Sequence, residues 1–322
     1  LSLKVLQISD VHIRNLKYHY EYRRVFENLY RHIDELKPDI VINTGDTAHT
    51  KTQISPEFVE MASEHLKRVA EFAPYHLILG NHDLNLMNKD RQDAISPIVE
   101  SIKSDNIFLH KKSGLGFTQE KEGQKYNFWV FSLADRDNYP LPSNWAAYPQ
   151  DVNIGLFHGS VATCVTDTNW RMTVVEHDLS IFDGLDFAML GDIHKQQFFK
   201  NRTIAYPGSL IQQNFGEEVD KGFLLWSLNK KNDPHVVTPY ILRGSRKFHT
   251  IRLGDDLSVP DLQIEEGSRI RISPPTSITL VQQREIEKIV RKTFKPYDVI
   301  TLSAANAGLQ KTMAGKNSVD IE

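Results

Sequence analysis

Five short apolar runs in this chain stop abruptly at residues that bind metal or carry protons. "VLQIS" (5–9) leads into Asp10 and His12, and "IVINT" (40–44) leads into Gly45-Asp46. "HLIL" (76–79) leads into Gly80-Asn81-His82-Asp83, and "NIGLF" (153–157) into His158-Gly159. "DFAML" (186–190) leads into Gly191-Asp192-Ile193-His194. In open α/β sheets, functional groups collect beyond the carboxyl ends of the strands. A chain that repeats this exit five times is therefore expected to fold as an α/β protein with those ends on one rim.

The stretches between the runs agree. Val25, Phe26, Leu29, Tyr30, Ile33 and Leu36 recur at helical spacing. Ser55-Pro56 forms an N-cap and N1 pair ahead of Phe58, Met61, Leu66 and Val69, and Ser96-Pro97 opens "PIVESIK". Strand and helix alternate through the first 110 residues, which implies parallel βαβ units. From about 107 onward, "NIFLH", "YNFWVFS" and "GFLLWSL" join the later runs as strands separated mostly by short loops. The expectation is two packed mixed β-sheets flanked by helices over residues 1–240. Residues 243–250 are basic and less apolar. Beyond them, "SRIRIS" (268–273) reads as a strand and 279–294 as a helix with Val281, Ile286, Ile289, Val290 and Phe294. "YDVITL" (297–302) closes a small appended β-α-β domain over 241–303, followed by a polar, flexible tail over 304–322.

Composition bounds the rest. The 322 residues are 40% hydrophobic and 25% charged, which is ordinary for a globular chain. No apolar run approaches the roughly 18 residues of a membrane span, so no membrane is expected as a partner. The N-terminus reads as a first strand rather than a leader. A single cysteine, Cys164, excludes an intrachain disulfide and a thiolate metal site, and points to a reducing, cytoplasmic setting. The net charge of -3 does not suggest a general nucleic-acid binder, although a local basic stripe would suffice for one.

The residue types at the exits are carboxylate, imidazole and amide oxygen. That set suits Mn, Fe or Zn better than a copper thiolate or an iron–sulfur centre. The spacing of two in Asp10/His12 and Asp192/His194 has a simple reading, because residues i and i+2 of extended backbone point the same way. The glycines ahead of Asp46, Asn81 and Asp192 allow a sharp turn. Taken singly, an Asp-x-His or a Gly-Asp turn means little. Taken together, the five exits point to a two-metal site.

The series resembles the calcineurin-like metallophosphoesterase superfamily, whose signature is D-x-H, G-D, G-N-H-D/E, H and G-H-x-H, over residues 3–228. Within it, the chain is most similar to the SbcD/Mre-type DNA-repair nucleases. His49 follows Asp46 at the G-D-x-x-H spacing, "AYPGSLIQQNFGE" (205–217) is similar to a Y-P-G-S segment followed by an acidic residue, and the small β-α-β unit looks like a DNA-capping domain. The resemblance implies one metal held by Asp10, His12, Asp46 and His194, and a second held by Asp46, Asn81, His158 and Asp192. His82 would protonate the leaving oxygen, and His49 would lie near the phosphate or nucleotide. Asp192 departs from the family histidine, and a carboxylate there would favour hard cations. The implied cofactors are two divalent metal ions, Mn2+ for preference, with Mg2+ as the alternative.

The implied activity is exonucleolytic and single-strand endonucleolytic cleavage of DNA. The implied partners are an SbcC/Rad-type ATPase and a second copy of the chain, meeting through helices near 20–36 or 90–103. Three basic groups can be read equally as phosphate contacts or as solvated surface. These are Lys195, Lys200 and Arg202; Arg243, Arg246, Lys247, Arg269 and Arg271; and Arg284, Lys288, Arg291 and Lys292. Two other readings stay open: a metallophosphodiesterase acting on a non-DNA substrate, and a catalytically weak DNA-binding scaffold for the ATPase.

Overall fold

The structure is a computed structural model and describes residues 2–88, 91–173, 175 and 177–302. The predicted tail, 304–322, lies outside the described residues. The chain divides into two compact units, Leu1–Ile211 with Asp220–Gly244, and Gln212–Val219 with the chain from Ser245 onward.

The first unit opens with β1 (Leu3–Ile8), α1 (His19–Leu36), β2 (Ile40–Asn43), α2 (Pro56–Ala70), β3 (Tyr75–Ile78), α3 (Ser96–Ile102) and β4 (Ile107–His110). It continues through β5 (Gly114–Lys121), β6 (Gln124–Phe131), α4 (Pro142–Ala146), β7 (Val152–His158), β8 (Phe187–Gly191), β9 (Gln197–Phe199) and β10 (Ile204–Tyr206). The strands β11 (Gly222–Leu228) and β12 (Val236–Ile241) complete it. They form two six-stranded mixed sheets, ordered β12-β11-β1-β2-β3-β4 and β5-β6-β7-β8-β10-β9. This is the α/β architecture expected, with helices flanking two packed sheets.

The period-two alternation of the strands explains the layering. Val5, Ile40, Ile42 and Ile78 pack against Tyr126, Phe128, Val130, Ile154 and Leu156 of the other sheet. The intervening Leu6, Ile8, Val41 and Leu77 face α1 and α2, where Tyr22, Val25, Phe26, Leu29, Met61 and Leu66 meet them. Trp129, Phe131 and Phe157 turn to the far side of the second sheet, against Trp145 and Phe182.

Ser55 caps α2 as its sequence predicts, its hydroxyl accepting the Phe58 N–H at 3.1 Å. At α3 the cap lies further upstream. The Asp93 carboxylate accepts the N–H groups of Ile95 and Ser96 at 3.0 and 2.6 Å, so Ser96 is already inside the first turn.

The second unit contains β13 (Phe248–Arg252), β14 (Arg269–Ser273), α5 (Leu280–Phe294) and β15 (Asp298–Thr301) in a three-stranded parallel sheet ordered β13-β14-β15. The strand β13 was not expected from the sequence, since only Phe248 and Ile251 of it are fully buried among polar neighbours. Two residues of α5 are also placed differently from expectation. That helix buries Ile286, Val290 and Phe294 at fourfold spacing, whereas Val281 and Ile289 are 65% and 51% exposed.

Candidate metal centre

Backbone pairing continues past the ends of β1 and β2 and draws their exits together. Asp10 N–H donates to the Gly45 carbonyl at 3.0 Å, and His12 N–H donates to the Asp46 carbonyl at 2.9 Å. The backbone there is not extended. Asp10, His12 and Asp46 have φ of 51, 51 and 57°, and Asp192 has φ of 98°. The i, i+2 geometry expected from extended backbone is therefore incorrect, because left-handed residues alternate with ordinary ones. Asp and His enter this region more readily than other L-residues, at a cost of order 1–3 kcal/mol each. Such strain persists only where the surroundings enforce it.

The three glycines leave room where a side chain would stand in the way, as expected, but for different reasons. Of the three, only Gly45 has positive φ, at 107°. Gly80 and Gly191 are required for space. A Cβ on Gly80 would lie 2.0 Å from Asp46 Oδ1, and one on Gly191 would lie 2.2 Å from the Thr44 carbonyl.

The side chains converge as two sets of donors. His12 Nε2 lies 2.9 Å from His194 Nε2 and 3.8 Å from Asp10 Oδ1, and His194 Nε2 lies 3.9 Å from the same oxygen. In the second set, His158 Nε2 is 3.0 Å from Asn81 Oδ1 and 3.9 Å from Asp192 Oδ1. Asp46 stands between the sets, with Oδ2 3.5 Å from His12 Nε2 and Oδ1 3.4 Å from His158 Nε2. His82 and His49 flank the first set. The His82 ring is 4.8 Å from His12, edge to face, and lies 5.8 Å from the near-parallel His49 ring. Thus the structure brings Asp10, His12, Asp46, Asn81, His158, Asp192 and His194 into one centre, with His82 and His49 beside it.

The electrostatics of the donor set suit cations. Asp10, Asp46 and His158 are buried, and the ion-pair contacts of both carboxylates are with histidines. Burial pushes the Asp10 carboxyl up, against the pull of His194 and His158. Burial acts on Asp46 in the same sense, but His158 and His12 outweigh it and hold that carboxyl well below the usual range. His158 is the counterpart. Burial opposes its charge, yet Asp46 raises it to about 10. Burial raises Asp192 to about 6. Clustered carboxylates thus draw a proton onto a buried imidazole, and a divalent cation would satisfy the same field. The donors are hard or borderline and include no sulfur, which fits the metals expected from the sequence.

Outer contacts fix the rings. His158 Nδ1–H donates to the Thr44 carbonyl at 2.7 Å, leaving Nε2 to face Asp46 and Asn81. Such a second hydrogen bond sets tautomer and ring orientation. His82 Nδ1–H donates to the His49 carbonyl at 2.7 Å. The "YPGS" segment supports the first set, with Ser209 N–H donating to the His194 carbonyl at 3.1 Å and Gly208, at φ 79°, passing beneath it. Two contributors carried no assignment from sequence. Asp83, fully buried, accepts the N–H groups of Gly80, Thr47 and Ala48 at 2.9, 3.3 and 2.7 Å, clamping the β2 and β3 exits together. Its place directly after His82 was the available signal. Lys221, also buried, donates to the His194 carbonyl at 2.8 Å and to Asp167 at 3.2 Å, and had no motif to mark it.

Strand exits that supply only oxygen and imidazole donors, in two sets sharing one carboxylate, have the chemistry of a site for two cations. The chain belongs to the calcineurin-like phosphoesterase family, matching it over residues 3–239. Members of this family work with a dinuclear metal site and hydrolyse phosphoesters. The chain is 34% identical over 310 residues to "Uncharacterized protein R555" of Acanthamoeba polyphaga mimivirus, a match covering 92% of this chain and 22% of that protein. It thus spans only about a fifth of that relative's length. It is 24% identical over 304 residues to "Putative phosphoesterase 244L" of Invertebrate iridescent virus 6, covering 90% of this chain and 99% of that protein. A solved structure described as GAP50, the anchor in the inner membrane complex of Plasmodium, aligns with a TM-score of 0.49 at 10% identity, over 76% of this chain and 90% of that one. Among the described residues, no helix is long and apolar enough to cross a membrane.

Proposed function

We propose that this phosphoesterase hydrolyses phosphodiester bonds in DNA, exonucleolytically and as a single-strand endonuclease, with manganese as its preferred metal. The observation that carries the two-cation reading, on which the diesterase reading builds, is the division of the Asp46 carboxylate, one oxygen toward His12 and the other toward His158. Asp10, His12, Asp46 and His194 would hold one cation, and Asp46, Asn81, His158 and Asp192 the other. Cations held there would offset charge on the phosphate and make water more acidic.

The chain's own residues do the rest. His82 is held by its Nδ1 bond to the His49 carbonyl, so Nε2 is the atom that hands a proton to the leaving oxygen. The His49 ring lies nearly parallel to that of His82, with the ring centres 5.8 Å apart. Asp83 keeps the Gly80–Asp83 loop seated on the β2 exit.

DNA as substrate draws support from the second unit. There the Arg246 and Arg269 guanidinium groups lie 4.0 and 5.3 Å from the Tyr297 ring centre. Arg284, Lys288, Arg291 and Lys292 belong to α5, with Arg291 and Lys292 in its last turn. A homodimer, an SbcC/Rad-type ATPase partner and a cytoplasmic or nucleoid-associated location belong to the same reading and rest on the sequence resemblance.

The test is digestion of duplex and single-stranded DNA, beside a chromogenic diester, with and without Mn2+. His82→Ala should lower the rate about 10²–10⁴-fold, the usual worth of a general acid, with metal stoichiometry retained. Cleavage of the diester but not of DNA would make the protein a phosphodiesterase for another substrate. Wild type no faster than His82→Ala on either would leave only a DNA-binding scaffold.

A further inference from the structure

A cavity of about 190 Å3 in the first unit opens directly beside the second donor set, with Asn81, His158 and Asp192 at one end. Rings from three separate segments make up much of the remaining wall. Phe157 lies 6.4 Å from Tyr139 and 5.8 Å from His177, and the last two rings are 5.7 Å apart. The wall is held in place from behind. Tyr206 Oη–H donates to the Gly159 carbonyl at 2.7 Å, and Ala162 N–H donates to the His177 carbonyl at 3.0 Å, which holds the backbone of that residue.

Size and lining together select the ligand. A cavity of about 150 Å3 accepts a single benzene-sized ring, and this one, with Asn81, Arg136, Ser160 and Asp192 beside the three rings, has room for a planar ring that carries polar edges. The cavity also leads somewhere. A second one of about 240 Å3 shares Leu86, Leu133 and Arg136 with it and adds Arg91. Arg136 lines both cavities and Arg91 lines the second, so a ligand running from the donor set through both would pass the three rings and these two cationic residues. Phosphate, ring, phosphate is the repeat of a polynucleotide strand.

We infer that the cavity lined by Phe157, Tyr139 and His177 is a subsite for the base flanking the scissile phosphate, and that Arg136 and Arg91 receive the next phosphate along the strand. This rests on the phosphodiesterase reading and adds to it the element that recognises a nucleotide rather than any diester.

The experiment compares kcat/KM for thymidine p-nitrophenyl phosphate with that for methyl p-nitrophenyl phosphate, in Mn2+, on each enzyme preparation. Wild type is expected to favour the thymidine ester by about tenfold or more, within the range that base–aromatic stacking supplies. The preference should collapse toward unity in Tyr139→Ala, which removes a ring, and in Leu86→Trp, which fills the space. Because both esters are read on the same sample, loss of folded protein cancels from the ratio. An Arg91→Ala/Arg136→Ala variant should raise KM for single-stranded oligothymidylate several-fold and flatten its salt dependence. A wild-type ratio near one, or a ratio preserved in both cavity variants, overturns the base subsite. An unchanged KM for the oligomer overturns the phosphate half. Wild type inert toward both esters sinks the diesterase reading itself, a result distinct from either.

Discussion

Gly80→Ala is the substitution whose consequence follows most directly from the geometry. Gly80 has no positive φ, so alanine meets no backbone penalty there. The whole effect comes from a methyl group 2.0 Å from Asp46 Oδ1 and 2.5 Å from Asp46 N. Real Cβ atoms essentially never come within 3.0 Å of such neighbours, so the Asp46 carboxylate must retreat by about 1 Å and the Asp46 backbone must shift with it. That carboxylate serves both donor sets, so both are disturbed together. A misplacement of that size at a reacting centre costs on the order of 10²-fold, while the added strain destabilises the fold by about 1–3 kcal/mol. The assay is kcat/KM on a chromogenic diester in saturating Mn2+, with Mn2+ binding by calorimetry and urea unfolding on the same preparation. Gly123→Ala is the control. Its Cβ would meet nothing within 4 Å, but its φ of 76° disfavours alanine. It should lower stability modestly and leave kcat/KM alone. If Gly80→Ala keeps its activity within about threefold of wild type, the carboxylate is not tightly positioned and the reasoning from Asp46 fails.

Three further outcomes are expected. His65 is fully buried between Tyr30 and Tyr75, and burial lowers it to about 3. Its folded pKa lies below its unfolded value of about 6.5, so its contribution is intact above pH 6.5 and is lost as pH falls toward 3, by about 2 kcal/mol at pH 5. Chemical denaturation at pH 7 and pH 5 should show this loss, and His65→Gln should reduce it by a similar amount. Lys221→Met takes a buried cation from Asp167 and from the His194 carbonyl, and should destabilise the fold by about 3–5 kcal/mol while weakening metal binding. A melting curve and a Mn2+ titration check it, and a variant as stable as wild type would refute it. Finally, Mn2+ at about a hundred times its Kd should raise unfolding free energy by about 2.7 kcal/mol, an increment that chelator abolishes. No response to metal would contradict the assignment of these donors to cations.

Much of the centre is legible in the order of residues alone, for a physical reason. Residue chemistry and short-range periodicity are local. Asp10, His12, Asp46, Asn81, His158, Asp192 and His194 declare themselves by type and by position after apolar runs. The cap at Ser55 and the buried stripe of α1 are equally local. Elements whose apolar content is thin stay hidden. β5 keeps a largely half-exposed polar face, and β13 buries only two of its five side chains fully. The extended-backbone account of the paired ligands fails as well, because alternating left-handed residues cannot be told from an extended run by residue type alone.

Residue identity therefore nominated the groups that converge, and roughly where along the chain each element lies. Folding in three dimensions decided how they face one another. The two oxygens of Asp46 serve different histidines, Asp83 joins the two loops, Lys221 sits behind His194, and aromatic rings close a cavity next to Asp192. Each of these is a contact between segments far apart in sequence. Such contacts depend on strand register and on close packing between layers, which no local pattern of residues encodes.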